Sequence, residues 1–123
     1  MKSKSLSQRV RAFGYAFQGI ATLWRSGVHF RLMVGMALAV IILAALLSVS
    51  RQEWALLLLS CALVLTAEGL NSALEHLTDL ASPQWHPLAQ KAKDSAAAAA
   101  LLASLFAAAV GLLIFGPKLW LLL

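Results

Sequence analysis

The stretch SAAAAALLASLFAAAVGLLIF, residues 95–115, contains no charged side chain. A helix needs about 20 consecutive apolar residues to cross the hydrocarbon core of a bilayer, so this stretch predicts a transmembrane helix. Residues 30–49 and 54–81 are also long and mainly apolar, and they predict two further spans. The sequence therefore predicts an all-α membrane protein with three transmembrane helices in a single domain, residues 1–123.

The overall composition supports a membrane protein. Apolar residues make up 61% of the chain and charged residues 12%, whereas soluble domains average about 45–50% and about 25%. The formal net charge is +5. Because the basic residues flank apolar runs and do not form a stripe with aromatic residues, we expect no nucleic-acid partner.

Residues 5–25 precede the first span and have helical periodicity. Their apolar members recur at spacings of three and four, at Leu6, Val10, Phe13, Phe17, Ile20 and Trp24. A basic amphipathic helix of this kind is typical of a segment that lies on the membrane surface. The sequence thus predicts an N-terminal surface helix that ends near Ser26-Gly27.

The basic residues also predict the orientation of the spans. Eight of the ten Lys and Arg residues precede or open the first span, or lie between the second and third spans. Arg51 and Lys118 fall on the other side. Lysine and arginine are enriched in cytoplasmic loops. We therefore expect the N-terminus and the loop at residues 82–94 to be cytoplasmic. Two prolines in this loop break the helix, and Gly116-Pro117 is expected to end the third span.

Acidic side chains follow one face of the second span. At about 100° per residue, Glu68, Asn71, Glu75 and Asp79 fall within an arc of about 80°. Carboxylates in a bilayer are costly and usually face a protein interior or an aqueous cleft. Counted from Trp54 at about 1.5 Å per residue, Glu68 lies in the inner leaflet and Glu75 at the cytoplasmic interface. A lipid headgroup and a water-soluble cosubstrate could meet there.

These residue types suit phosphoryl transfer. Glu75 can bind a hard cation such as Mg²⁺ together with substrate phosphates, and Lys93 supplies a positive charge for phosphate oxygens. The deeper Glu68 can act as a base toward a lipid hydroxyl, and Asn71 can orient either group. A base, a metal-binding carboxylate and a phosphate-binding lysine are what such a transfer requires.

The motif Glu68-x-x-Asn71-Ser-Ala-Leu-Glu75-x-x-x-Asp79, followed by His86 and Ala92-Lys93-Asp94, resembles the small bacterial diacylglycerol kinases and their undecaprenol kinase relatives. The similarity covers most of the chain. It includes Gly14-Tyr15, Phe30-Arg31 and SRQEW at residues 50–54. The last two stretches look closer to the undecaprenol kinase branch.

The resemblance implies a homotrimer in the bacterial inner membrane. It implies ATP- and Mg²⁺-dependent phosphorylation of diacylglycerol or undecaprenol at the cytoplasmic interface, which would supply phospholipid or cell-envelope lipid-carrier metabolism. The implied catalytic residues are Glu68, Asn71 and Asp94. Glu75 is the implied metal ligand, and the implied ATP-site residues are Tyr15, Glu75, Gln84, Trp85, His86, Lys93 and Asp94.

Gly27 departs from the family pattern. The family usually has a second metal-binding Glu at this position, and His29 nearby is a poor ligand for Mg²⁺. An alternative is therefore a weakly active or inactive relative that acts in lipid binding.

Other interpretations remain open for single residues and for the whole bundle. Asp94 precedes Ser95 and an alanine run, so it could be the N-cap of the third span. Tyr15 could be a membrane anchor, and Asp79 a solvated residue near a helix end. Intramembrane acids also mark ion paths, so a cation-conducting bundle is a third hypothesis.

Overall fold

Four α-helices account for nearly all of residues 5–123, the part of the chain that the computed structural model describes. They are α1 (Leu6–Ser26), α2 (Val28–Leu46), α3 (Arg51–Ala81) and α4 (Pro87–Trp120). This described range contains no strand. The predicted all-helical fold is confirmed, and the last three helices are long and apolar enough to cross a membrane, as the three predicted spans require. The surface position of α1 and the trimer remain predictions.

The packing is centred on α3, which lies along α4 over much of its length and also packs against α2. Ala96, Ala100 and Ala103 are buried and recur along α4 at spacings of four and three residues. Such small residues allow helices to approach closely in membranes. A compact apolar cluster closes the end of the bundle near the α2–α3 connection. Its buried members are Ala44, Val49, Leu57, Ile114 and Phe115.

The α2–α3 connection begins earlier than the sequence predicts. We expected the first span to continue to residue 49, but α2 ends at Leu46. Ser48 adopts a positive φ of 50°, and the amides of Ser48 and Val49 donate to Ala45 O (3.4 Å) and Ala44 O (3.3 Å). These bonds form a Schellman motif. Val49 therefore turns back into the apolar cluster and does not extend the helix.

The start of α3 is fixed by a capping box. The Glu53 amide donates to Ser50 Oγ at 3.2 Å, and the Ser50 amide donates to Glu53 Oε2 at 2.8 Å. Two otherwise unpaired amides of the first turn are thus satisfied. The helix begins at Arg51, three residues before the predicted start of the span.

The predicted N-cap role of Asp94 is wrong. α4 begins at Pro87, whose fixed φ suits the first position of a helix. The cap is His86, whose Nδ1 accepts a hydrogen bond from the Leu88 amide at 3.1 Å. Asp94 consequently lies in the second turn of a continuous helix.

The predicted end of the third span at Gly116-Pro117 is also wrong, because α4 continues to Trp120. Proline removes a single amide donor from the helix. The next turn still closes, since the Leu121 amide donates to Pro117 O at 3.2 Å. Lys118 in this added turn lies 3.2 Å from Glu53 at the start of α3. The ion pair holds the end of α4 against α3.

The predicted break at Ser26-Gly27 is confirmed, and Gly27 joins α1 directly to α2. The Gly27 amide donates to Leu23 O at 2.9 Å. The Arg31 guanidinium of α2 reaches back and donates to Trp24 O at 2.8 Å. Cations stabilise the carbonyl end of a helix, so Arg31 fixes the last turn of α1.

Candidate active site

The acidic face of α3 changes from half-buried to exposed along its length. Glu68 and Asn71 are half-buried, whereas Glu75 and Asp79 are exposed. The Asn71 Oδ1 atom is shielded from solvent and accepts no hydrogen bond from the described residues. Leaving a buried acceptor unpaired costs about 1–3 kcal/mol. This oxygen is therefore suited to accept a hydrogen bond from a hydroxyl group that approaches Glu68.

The connection between α3 and α4 forms a small cavity of about 100 Å³. Within the connection, Ser82 Oγ donates to Gln84 O at 2.9 Å. The cavity brings together four of the residues predicted to contact ATP with one residue of the acidic face. It is lined by Asp79, Ser82, Pro83, Gln84, Trp85, His86, Ala89, Gln90 and Lys93.

Lys93 links this cavity to the acidic face of α3. Its ammonium group donates to Asp79 Oδ1 in an ion pair, and the Glu75 carboxylate adds a further electrostatic attraction. The Lys93 side chain nevertheless remains 38% exposed. A cation that is oriented by carboxylates and still accessible can contact phosphate oxygens.

Asp94 lies next to the cavity residues but does not line it. Its Oδ1 atom accepts a hydrogen bond from Gln90 Nε2 at 2.8 Å. Sequence reasoning did not single out Gln90, although Gln and Asp four residues apart on a helix are known to pair. Gln90 both lines the cavity and orients the carboxylate of Asp94.

The remaining predicted residues lie apart from the cavity. Tyr15 is 68% exposed on α1, and neither Glu68 nor Asn71 belongs to the cavity lining. Glu68 and Glu75 are separated by about 10 Å along the helix axis at 1.5 Å per residue. The structure thus contains a deep pair, Glu68 and Asn71, and a superficial group around Lys93, with Glu75 between them.

The donor atoms of this face suit a magnesium ion that is shared with a nucleotide. Among residues 5–123 there is no group of three or more His, Cys, Asp or Glu side chains that could hold a metal ion. Magnesium is commonly bound by one or two carboxylates plus substrate phosphates. Glu75 fits such a shared ion, whereas the described part of the chain offers no complete cage for a free one.

Gly27 cannot accept a side chain without movement of the backbone. A Cβ atom there would lie 2.8 Å from Leu23 O and 3.1 Å from Phe30 Cβ. Position 27 therefore lacks the carboxylate that is usual in the family, and the α1–α2 junction at this position is closely packed.

Comparison with known proteins decides the family. Residues 14–115 match the family described as prokaryotic diacylglycerol kinase. The chain belongs to this family. The matched range includes most of α1, all of α2 and α3, the connection at 82–86 and most of α4, so it contains every candidate site residue. The resemblance read from the Glu68–Asp79 motif is confirmed, and so is the enzyme class, a lipid kinase.

Curated relatives in this family carry two different names. A diacylglycerol kinase of Helicobacter pylori is 38% identical over 105 residues, which cover 85% of this chain and 82% of the relative. An undecaprenol kinase of Bacillus subtilis is 37% identical over 114 residues, which cover 93% of each chain. A Pseudomonas aeruginosa diacylglycerol kinase is 40% identical over 98 residues, 80% of each chain. These nearly equal identities leave the branch of the prokaryotic diacylglycerol kinase family open.

Proposed function

We propose that this protein transfers the γ-phosphoryl group of ATP, with Mg²⁺, to the primary hydroxyl of diacylglycerol or undecaprenol. The transfer takes place at the cytoplasmic face of the bacterial inner membrane, with the N-terminus and the 82–94 loop in the cytoplasm, in a homotrimer. The observation that carries the proposal is the acidic face of α3. It runs from half-buried Glu68 to exposed Glu75 and meets Lys93 beside a polar cavity.

Glu68 and Asn71 serve the lipid alcohol in this proposal. Glu68 is half-buried in a helix long and apolar enough to cross a membrane, so a hydroxyl group can approach it from the bilayer. The Glu68 carboxylate accepts the hydroxyl proton during transfer. The Oδ1 of Asn71, which has no hydrogen-bond partner among residues 5–123, accepts a hydrogen bond from the hydroxyl before the proton leaves.

Lys93 and the residues of the α3–α4 connection serve the nucleotide. Lys93 contacts phosphate oxygens, and Gln84, Trp85 and His86 contact the nucleotide from the cavity that they line. A cavity of about 100 Å³ is smaller than the 300 Å³ or more typical of a ligand site. The rest of the nucleotide is therefore bound outside it, with Tyr15 and Asp94 as the proposed contacts.

Glu75 holds the magnesium ion together with the phosphates. When bound, such an ion would supply positive charge opposite the phosphate oxygens. The position of Glu75 between the deep pair and Lys93 supports this assignment, because the lipid hydroxyl and the γ-phosphate must meet between the two groups.

Transfer of radiolabelled phosphate tests the proposal directly. The purified protein in detergent micelles is incubated with ATP and Mg²⁺, with diacylglycerol in one reaction and undecaprenol in another. We expect labelled lipid phosphate in at least one reaction and none after chelation of Mg²⁺. The better substrate identifies the branch. Absence of labelled lipid in both reactions, with a correctly assembled protein, would contradict the proposal.

A weakly active relative is the second candidate function. Gly27 favours it, because this position lacks a carboxylate and leaves no room for a side chain in its present backbone geometry. In that case the protein binds the lipid alcohol but turns it over slowly. This candidate would be supported over the first by two results together. The protein would bind the lipid alcohol with high affinity, and its turnover would rise steeply with Mg²⁺ concentration.

A further inference from the structure

The Leu23 side chain of α1 lies close to Gly69 of α3. Among the described residues of α1, every side chain except that of Leu23 is exposed. Its Cδ1 atom lies 3.4 Å from the point where a Cβ on Gly69 would stand. Gly69 immediately follows Glu68 in α3, so this contact lies beside the proposed catalytic base.

The approach of Leu23 limits the size of the residue at position 69. Glycine weakens the interior of a helix relative to alanine, and α3 continues without interruption across it. An alanine Cβ at 3.4 Å from Leu23 would be in ordinary van der Waals contact. Any longer side chain at this position would occupy the volume of Leu23 and displace α1.

Hydrogen bonds at the end of α1 fix the backbone around Leu23. Leu23 O accepts the hydrogen bond of the Gly27 amide, and Arg31 donates to Trp24 O. The preceding part of α1, residues 6–22, is exposed along its whole length. The last turn of α1 is thus its attachment point, and the remaining helix extends from it.

We infer that Leu23, which packs against Gly69, is a positioning residue. It sets how closely the end of α1 approaches Glu68, and it thereby controls access of the lipid alcohol to Glu68. This inference rests on the proposed kinase function. Because Gly69 adjoins Glu68 in α3, the end of α1 held at this contact lies near the route by which a lipid hydroxyl would reach Glu68. The nucleotide, bound around Lys93, does not pass this contact.

Replacement of Gly69 by residues of increasing size tests the inference. Gly69→Ala and Gly69→Leu are prepared alone and with Leu23→Ala, and the KM values for lipid alcohol and ATP are measured separately. We expect Gly69→Ala to resemble the wild type. Gly69→Leu should raise the lipid KM about tenfold, within the range that one misfitted group causes in an apolar site, and leave the ATP KM unchanged. Leu23→Ala should reverse most of this rise.

Gly35→Leu is the matched control, because a Cβ at Gly35 would meet no described atom within 4 Å apart from its chain neighbours and the nearby backbone of α2. It should change neither KM. A wild-type lipid KM in Gly69→Leu would overturn the inference, as would a raised lipid KM that persists unchanged when Leu23→Ala is added. An equal rise in both KM values would show general damage to the site and would also overturn it.

The thermal midpoints of the same variants keep the test independent of activity. If α1 docks through this contact, Gly69→Leu lowers the midpoint and Leu23→Ala compensates, whereas additive losses would contradict the contact. Should the wild type phosphorylate no lipid, the proposed function and the positioning role both fail. The midpoints would then still decide whether Leu23 packs on Gly69.

Discussion

Lys93 of α4 donates a hydrogen bond to Asp79 of α3, directly beside the connection at 82–86. The pair joins the end of the acidic face to the cavity that contains the predicted ATP-site residues. A lysine on a flexible stem is thereby held near one position, close to Glu75. In the proposed function this arrangement separates two roles, because Lys93 would offer its charge to a phosphate while Asp79 orients Lys93.

Lys93→Met should lower kcat/KM for ATP about a hundredfold, because it removes a charged donor from the transferring phosphate. Asp79→Asn leaves the positive charge of Lys93 in place and should lower kcat/KM for ATP less than about tenfold. Steady-state kinetics at saturating lipid measure both. Lys91→Met is the control, since Lys91 is exposed and outside the cavity. Equal losses in Lys91→Met and Lys93→Met would contradict the role of Lys93.

Glu53 has two structural roles at the other end of α3. It completes the capping box with Ser50 and pairs with Lys118 at 3.2 Å. Glutamine can also complete a capping box, so Glu53→Gln and Lys118→Met should lower the thermal midpoint by similar small amounts. Glu53→Ala loses both interactions and should lower it further. If Glu53→Ala were no less stable than Lys118→Met, the capping role would be wrong.

Ser48 is the residue at which the α2–α3 turn carries backbone strain. Its φ of 50° is a conformation that costs an ordinary residue about 1–2 kcal/mol and glycine almost nothing. Ser48→Gly should therefore raise the free energy of unfolding by about 1 kcal/mol. Reversible unfolding in mixed micelles measures it. Ser48→Ala retains a Cβ and should give no gain; an equal gain in both variants would rule out relief of strain.

Gly27 requires a two-variant comparison because any side chain there must move Leu23 O or Phe30. Gly27→Ala should reduce activity through this steric effect alone. Gly27→Glu adds a carboxylate to the same distortion and should need less Mg²⁺ than Gly27→Ala for half-maximal rate. Magnesium titrations of both variants give the answer. Identical titrations would show that a carboxylate at this position does not take part in metal binding.

Much of the fold can be predicted from the sequence because a bilayer limits the possible structures. Apolar runs of the required length identified α2, α3 and α4, and the paired prolines located the α3–α4 connection. The helix ends were less accessible to prediction. Pro117 was expected to end α4, but one missing amide donor does not prevent the next turn, which Lys118 and Glu53 hold in place.

The candidate site was predictable only in part, for a different reason. Helical periodicity places Glu68, Asn71 and Glu75 on one face of α3, whatever the tertiary structure. The pairing of Asp79 with Lys93 depends on how α3 and α4 meet across the connection, which periodicity does not specify. The contact between Leu23 and Gly69 likewise depends on the angle between α1 and α2 at Gly27.

The rate of lipid phosphorylation in Glu68→Gln tests the central claim most directly. Glu53→Gln is the matched control, an identical substitution at the opposite end of the same helix that retains the capping box. With ATP, Mg²⁺ and the preferred lipid alcohol, the account predicts that Glu68→Gln loses turnover by a factor of about a hundred or more and that Glu53→Gln keeps the wild-type rate. A Glu68→Gln variant that phosphorylates lipid at the rate of Glu53→Gln would contradict the assignment of Glu68 as the base.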